Sequence, residues 1–180
     1  MSVFSNRSID PPEERARYAG AINGLLADKD PLPVLRQTPS AVLQAITGYT
    51  RDQLRMSEAP GKWSLIQVLQ HLADSDLVWG WRLRMILAHD RPQITGYDQD
   101  LWADRLNYAD ADPDEAIAVF TILRGANLKL IDRATPADLK RVGVHSERGE
   151  ESIEYLLRLY AGHDLLHLRQ IDRIRASLPR

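Results

Sequence analysis

The chain has 180 residues, 44% of them hydrophobic and 27% charged, close to the averages of soluble globular domains, so composition points neither to a disordered chain nor to a membrane protein. Lys and Arg number 23 against 25 Asp and Glu, a formal net charge of −2 that gives no basic excess for a phosphate backbone, and nucleic acid is not an expected partner. The lack of cysteine excludes disulfides, thiolate metal ligands, iron–sulfur clusters and cysteine nucleophiles together, leaving imidazole, carboxylate and water to hold any metal.

Residues Met1 to Asp10 are polar, and no apolar run approaches the roughly 20 residues that span a bilayer, so the cytoplasm is the expected compartment. Proline, glycine and capping residues divide the chain into helices. The first runs from Pro12 to about Ala27, entered through Asp10 and Pro11 and ended by Asp28-Lys29-Asp30-Pro31. It belongs to an N-terminal extension, residues 1–30, ahead of a single domain over 31–180. A second helix is predicted from Pro39, with Thr38 as N-cap, to Thr50, carrying Val42, Leu43, Ile46 and Tyr49 at helical spacing. A third follows the cap Ser64 and reaches about His89, with Leu65, Val68, Leu69, Leu72, Leu77, Val78, Trp81 and Met85 along one stripe.

Residues Asp90 to Asp112 are predicted as a long connection with one short helical turn, Asp98 to Arg105. Asp112-Pro113-Asp114-Glu115 opens the next helix, whose apolar positions Ile117, Phe120, Leu123, Leu128 and Ile131 keep the period to about Ala134. Residues Val144 to Gly149 read as loop with at most a few extended residues. A last helix runs from Glu151 to Ser177 with Ile153, Leu156, Leu157, Tyr160, Leu165, Leu168, Ile171 and Ile174 on its buried side. Long amphipathic helices with almost no strand signal predict an all-α, up-and-down four-helix bundle with an extra N-terminal helix.

His163 and His167 are four residues apart and leave the same helix face one turn apart, on the stripe of Tyr160, Ile171 and Ile174. His71 sits on the other strongly amphipathic helix and can approach from the facing side. Three neutral imidazoles suit zinc or nickel. Spacing alone leaves a second reading open, in which these are separate hydrogen-bonded histidines. Asp74, three residues after His71, and Gln170, three after His167, can reach such a site or orient a ligand ring, or else serve as a cap or a surface pair. Tyr160, one turn before His163, can reach a bound ligand or simply pack. Asp164, His89, His145, Arg82 and Arg84 read as solvated residues, Trp63 as packing at a helix entrance, and Trp79, Trp81 and Trp102 as core.

Gly61-Lys62-Trp63-Ser64, followed by Val68-Leu69-Gln70-His71-Leu72-Ala73-Asp74, together with His163-Asp164-Leu165-Leu166-His167-Leu168-Arg169-Gln170, resembles the signature of the DinB-like superfamily of bacterial metalloproteins. The resemblance extends from Pro31 to Leu178 and includes the loop Tyr97-Asp98-Gln99-Asp100-Leu101-Trp102. It implies a four-helix bundle, often a homodimer, with one divalent metal ion bound by His71, His163 and His167. It also implies an enzyme acting on a small molecule, either an S-transferase using bacillithiol, mycothiol or glutathione, which is the preferred expectation, or a metal-dependent hydrolase. A non-catalytic metal-binding stress-response protein is the remaining alternative. Arg169, Arg173 and Arg175 would then attract an anionic thiol, or form a solvated face.

Overall fold

The structure is a computed structural model, and it describes residues 12–178. The expected entry to the first helix through Asp10 and Pro11 lies outside them. Helix α1 spans Pro12–Leu26. Helix α2 spans Pro31–Ile46 and starts well before Pro39, because Asp30 accepts the Leu32 N–H and Pro31 stands in the first turn, where its missing N–H is harmless. The helix continues through Pro39, which has no N–H to give the Leu35 carbonyl. Arg124 Nη1 donates to that carbonyl at 2.8 Å instead. Thr38 is therefore an interior residue, its hydroxyl bonded to the Val34 carbonyl at 2.8 Å.

After the short α3, Arg51–Leu54, a reciprocal cap between Ser64 and Gln67 starts α4, Leu65–Ala88. The short strand β1, Gln93–Ile94, and helix α5, Gln99–Arg105, follow, with a 3₁₀ turn at Tyr108–Asp110. Asp112 caps α6, Pro113–Ile131, and a short α7, Pro136–Leu139, precedes two strands, β2 at Val142–His145 and β3 at Gly149–Ser152. Ser152 then caps α8, Ile153–Ser177. The strands form a small sheet in the order β1-β2-β3, with β1 parallel to β2 through Gln93↔Val144 and β2 antiparallel to β3. This hairpin replaces the loop expected around Val144 to Gly149. In β2 burial alternates, but Gly143 and His145 take the buried positions and the two valines the outer ones, so the residue types do not announce a strand; Gly149 turns the chain at φ 79°.

The four long helices α2, α4, α6 and α8 make the bundle. One apolar cluster gathers Val42 and Ile46 of α2, Leu65 and Leu72 of α4, Ala116 and Phe120 of α6, and Ile171 and Ile174 of α8. A second gathers Leu35, Leu83, Leu128 and Leu156. The C-terminal ends of α2 and α8 therefore lie with the N-terminal ends of α4 and α6, so the directions run up, down, down, up. The all-α four-helix bundle is as expected, but strict up-and-down alternation is not: α4 and α6 are parallel neighbours, because residues 89–112 cross back along the bundle before α6 begins. No helix among the described residues is long and apolar enough to cross a membrane.

Two positions on α4 depart from the sequence reading, for Leu77 and Trp81 are 53% and 44% exposed. The buried face instead advances through Leu69, Leu72, Asp76, Trp79, Leu83 and Ile86, and carries polar residues that interrupt the apolar pattern.

Helix α1 lies against α8, with Tyr18 and Ile22 packed on Leu166. Gly162 permits the approach: a Cβ there would stand 2.3 Å from the Ile22 carbonyl oxygen, which is backbone and cannot swing aside. Gly162→Ala should push α1 off α8 and cost about 1–3 kcal/mol, the usual range for overpacking. Urea denaturation checks this, and a variant as stable as the parent contradicts the contact.

Candidate metal centre

Helices α4 and α8 bring His71, His163 and His167 to one point. The Nε2 atoms of His71 and His163 are 3.0 Å apart, and those of His163 and His167 are 3.1 Å apart. No other group of three His, Cys, Asp or Glu among the described residues that could hold a metal ion converges in this way. Ligands on a tetrahedral centre with bonds of 2.0–2.1 Å stand about 3.3 Å from one another, so the spacing is that of a shared ion. Gln170 Oε1 accepts from His167 Nδ1 at 2.8 Å, which puts the ring proton on Nδ1 and leaves the Nε2 lone pair facing the point of convergence. Burial pushes all three imidazoles below the usual histidine range, His163 to about 3, so they are neutral and able to ligate. The donor set thus fits one borderline divalent ion.

Trp63 is buried, and its ring packs 5.0 Å from that of His71, closing one side of the site. The other side opens on a cavity of about 60 Å³ lined by Ser75, Arg82, Tyr97, Tyr160 and His163. Tyr18, Ala19 and Ile22 of α1 supply its outer wall. Ser75, one turn after His71, places its hydroxyl 3.4 Å from His71 Nε2 and 3.0 Å from the Tyr97 hydroxyl. Tyr160 lies in the cavity wall with its ring stacked on Trp79 at 5.0 Å and its hydroxyl accepting from Arg82 Nη1 at 3.2 Å. The Asp74 carboxylate accepts from the Tyr108 hydroxyl and from Gln70, and none of its hydrogen bonds reaches an imidazole among the described residues.

The sequence reading assigned no site role to Ser75, although it shares the face of His71 at a spacing of one turn, or to Tyr97, which entered only as part of the loop that carries the family resemblance. Burial pushes the phenols of Tyr18, Tyr97 and Tyr160 above their ordinary range, so they hold their protons at neutral pH. In the unfolded chain they titrate near pH 10. Their contribution to stability is therefore complete below about pH 10 and is lost as pH rises through the folded values. In an alkaline titration their phenolate absorbance should rise together with the loss of helical circular dichroism; phenolate formation ahead of unfolding would contradict the burial.

Three residues expected to be solvated, Asp164, Arg82 and His145, are buried. Asp164 is wholly enclosed, as is Asp76 of α4, and both carboxylates are gripped by Arg124 of α6. Arg124 is 2% exposed, donates through Nε and Nη2 to Asp76 and through Nη1 and Nη2 to Asp164, and stacks over Phe120 at 4.9 Å. With its bond to the Leu35 carbonyl, one guanidinium ties α2, α4, α6 and α8 together. Asp164 is adjacent to His163, and Asp76 lies little more than a turn beyond His71, so this tie also sets the rotation of both histidine-bearing helices. Burial pushes the Asp76 carboxyl up to about 6, against the pull of Arg124. Arg82 and His145, also read as surface, are 4% and 2% exposed; His89 and Arg84 do lie at the surface. His145 is covered because β2 lies across the end of α4.

Residues 35–171 match the description of the DinB superfamily. A relative from Bacillus subtilis named "Putative metal-dependent hydrolase YfiT" is 30% identical over 144 residues, covering 79% of this chain and 81% of the relative. A protein of Geobacillus thermodenitrificans named "Putative metal-dependent hydrolase" is 28% identical over 152 residues, covering 82% of this chain and 83% of its own. Among solved structures, YfiT of Bacillus subtilis superposes with a TM-score of 0.76 at 25% identity, over 98% of this chain and 95% of that one. That protein is described as "a probable metal-dependent hydrolase with an unusual four-helix bundle topology".

Proposed function

The chain belongs to the DinB superfamily, and from that premise we propose that it is a metal-dependent hydrolase whose single divalent ion, zinc or nickel, is held by His71, His163 and His167. The observation that carries this reading is the convergence of three neutral Nε2 atoms beside a cavity rather than inside closed packing. With three protein ligands, a coordination position stays available to substrate or solvent. A divalent ion held there supplies Lewis acidity, polarising a carbonyl or phosphoryl oxygen and making water acidic near neutral pH.

The chain's own groups set the rest. Gln170 fixes the tautomer and orientation of His167 through Nδ1. Ser75 and Tyr97 form a hydroxyl pair reaching from the cavity to the imidazoles, able to donate to an oxygen that gains negative charge as a carbonyl is attacked. Trp63 keeps bulk water from the far side of His71.

A second reading has one observation in its favour. No carboxylate lines the cavity among the described residues, so a general base for water is lacking there, whereas a thiol bound as thiolate needs none. Transfer of a low-molecular-weight thiol such as bacillithiol, mycothiol or glutathione would use the same three histidines. Protein loaded in turn with zinc, nickel and manganese, and offered esters, amides and phosphoesters, should show saturable hydrolysis that a chelator stops and metal restores. Conjugation of thiols to monochlorobimane, assayed in parallel with no hydrolysis under any metal, would replace the hydrolase reading with thiol transfer. Gln170→Ala should weaken metal binding by roughly 10–100-fold, the usual effect of removing a residue that orients a ligand histidine.

A further inference from the structure

Arg82 is a buried cation with no buried anion. Arg124, the other buried arginine among the described residues, holds Asp76 and Asp164, and the half-buried Arg148 is bonded to Glu151 at 3.0 Å through Nη2. Arg82 is 4% exposed and has no ion pair among the described residues. Nη1 donates to the Tyr160 hydroxyl at 3.2 Å and Nη2 to the Thr95 carbonyl at 2.7 Å, both neutral acceptors. The Nε–H is buried without an acceptor. His145 Nε2, 3.4 Å from Nη2, does not help, because His145 Nδ1 accepts the Glu147 N–H and the neutral ring therefore carries its proton on Nε2. Removing a guanidinium from water without an opposite charge is costly, and five N–H donors are more than two neutral oxygens satisfy.

Arg82 lines the same cavity as His163, together with Tyr97 and Tyr160. Because the Tyr160 oxygen accepts from Arg82, its own proton is free to be donated. Arg148 also borders the cavity, but its charge is already matched by Glu151. Among the described residues the cavity therefore presents one unmatched positive charge, protonated phenols and no carboxylate, in about 60 Å³.

We propose that this cavity is a carboxylate subsite, in which Arg82 pairs with a carboxylate of the substrate while Tyr160 donates a hydrogen bond to it. Resting on the hydrolase reading for its role, the subsite makes the substrate a small ester or amide that carries a free carboxylate close to the bond presented at the histidines. One unmatched charge suits a monoanion better than a phosphate, and a planar carboxylate matches the guanidinium fork.

The test uses metal-loaded protein and follows thermal unfolding with propionate, the neutral isostere propionamide and inorganic phosphate. Propionate should raise the melting temperature saturably, and propionamide should not. In Arg82→Gln, with metal content unchanged, the propionate dissociation constant should weaken at least tenfold, and Arg82→Lys should keep part of the response. A carboxylate bound only to the metal would still protect Arg82→Gln, so equal protection of that variant and the parent overturns the subsite. Tighter binding of phosphate than of propionate overturns its class, and no protection by propionate overturns it outright. Should Arg82→Gln fail to fold, chelated wild-type protein decides: protection by propionate that survives chelation supports the subsite, and protection that vanishes with the metal overturns it. Propionate binding without hydrolysis of any substrate sinks the hydrolase reading alone. Hydrolysis without preference for carboxylate-bearing substrates sinks the subsite alone.

Discussion

Replacing Arg124 by methionine should destabilise the protein by about 3–5 kcal/mol, the range found when one partner is removed from a buried ionic group and the other charge is left behind. Two carboxylates would be stranded, Asp76 at 1% exposure and Asp164 at 0%, and the Leu35 carbonyl released by Pro39 would lose the bond from Arg124. Urea denaturation measures the loss, and a deficit below about 1 kcal/mol would show that the tie contributes no more than a surface pair.

The effect should depend on pH with a defined sign. In the parent protein the Asp76 carboxyl already lies at about 6, above its unfolded value. Without the guanidinium it lies higher, so the folded variant binds protons that the unfolded chain takes up only near pH 4. Stability of Arg124→Met should therefore recover as pH is lowered from 7 toward about 4. Replacing Arg124, Asp76 and Asp164 together by apolar residues should restore much of the loss at pH 7, since an apolar triad of similar volume leaves no charge unpaired.

The second large effect is expected at the metal centre. His163→Ala removes the imidazole whose Nε2 touches both of the others. Structural zinc sites with four ligands bind with roughly 10–16 kcal/mol, about 3 kcal/mol per ligand, so losing one imidazole should weaken binding by roughly 100- to 1000-fold. Elemental analysis after dialysis should find about one metal ion per chain in the parent and almost none in the variant. His89→Ala, at the exposed end of α4, should retain the metal. Equal metal content in parent and His163→Ala would remove the basis for any metal-dependent function.

The three histidines stood out because each lies on an apolar stripe at helical spacing, where a polar ring needs a partner, and the resemblance of the surrounding motifs joined them into one ligand set. The same logic, applied to charged residues, would have found more. Arg124 and Asn127 continue the stripe of Ile117 and Phe120 on α6, and Asp76 continues that of Leu69 and Leu72 on α4. Charged side chains are mostly exposed, and that general expectation outweighed their register. Asp164 was harder to place because α8 is covered on two sides, by the bundle and by α1, so that between Tyr155 and Leu168 no exposed residue marks where its buried arc ends.

The connection between α4 and α6 was illegible for another reason. Helical periodicity reports which face is buried and says nothing about direction, and the parallel pairing of α4 with α6 depends on the path of residues 89–112. That path carries Thr95 to Arg82 and Tyr97 to Ser75, which is why these contacts did not emerge from the motifs on α4 and α8.

The wall that α1 gives the cavity is built apart from the residues that converge as ligands. The imidazoles and the Arg124 tie lie inside residues 35–171, the stretch that matches the superfamily, whereas Tyr18, Ala19 and Ile22 lie before it. Substitutions on that helix can reshape the chamber while the bundle and its ligands stay untouched. The size and lining of the chamber can thus be altered from α1 without replacing any of the three imidazoles.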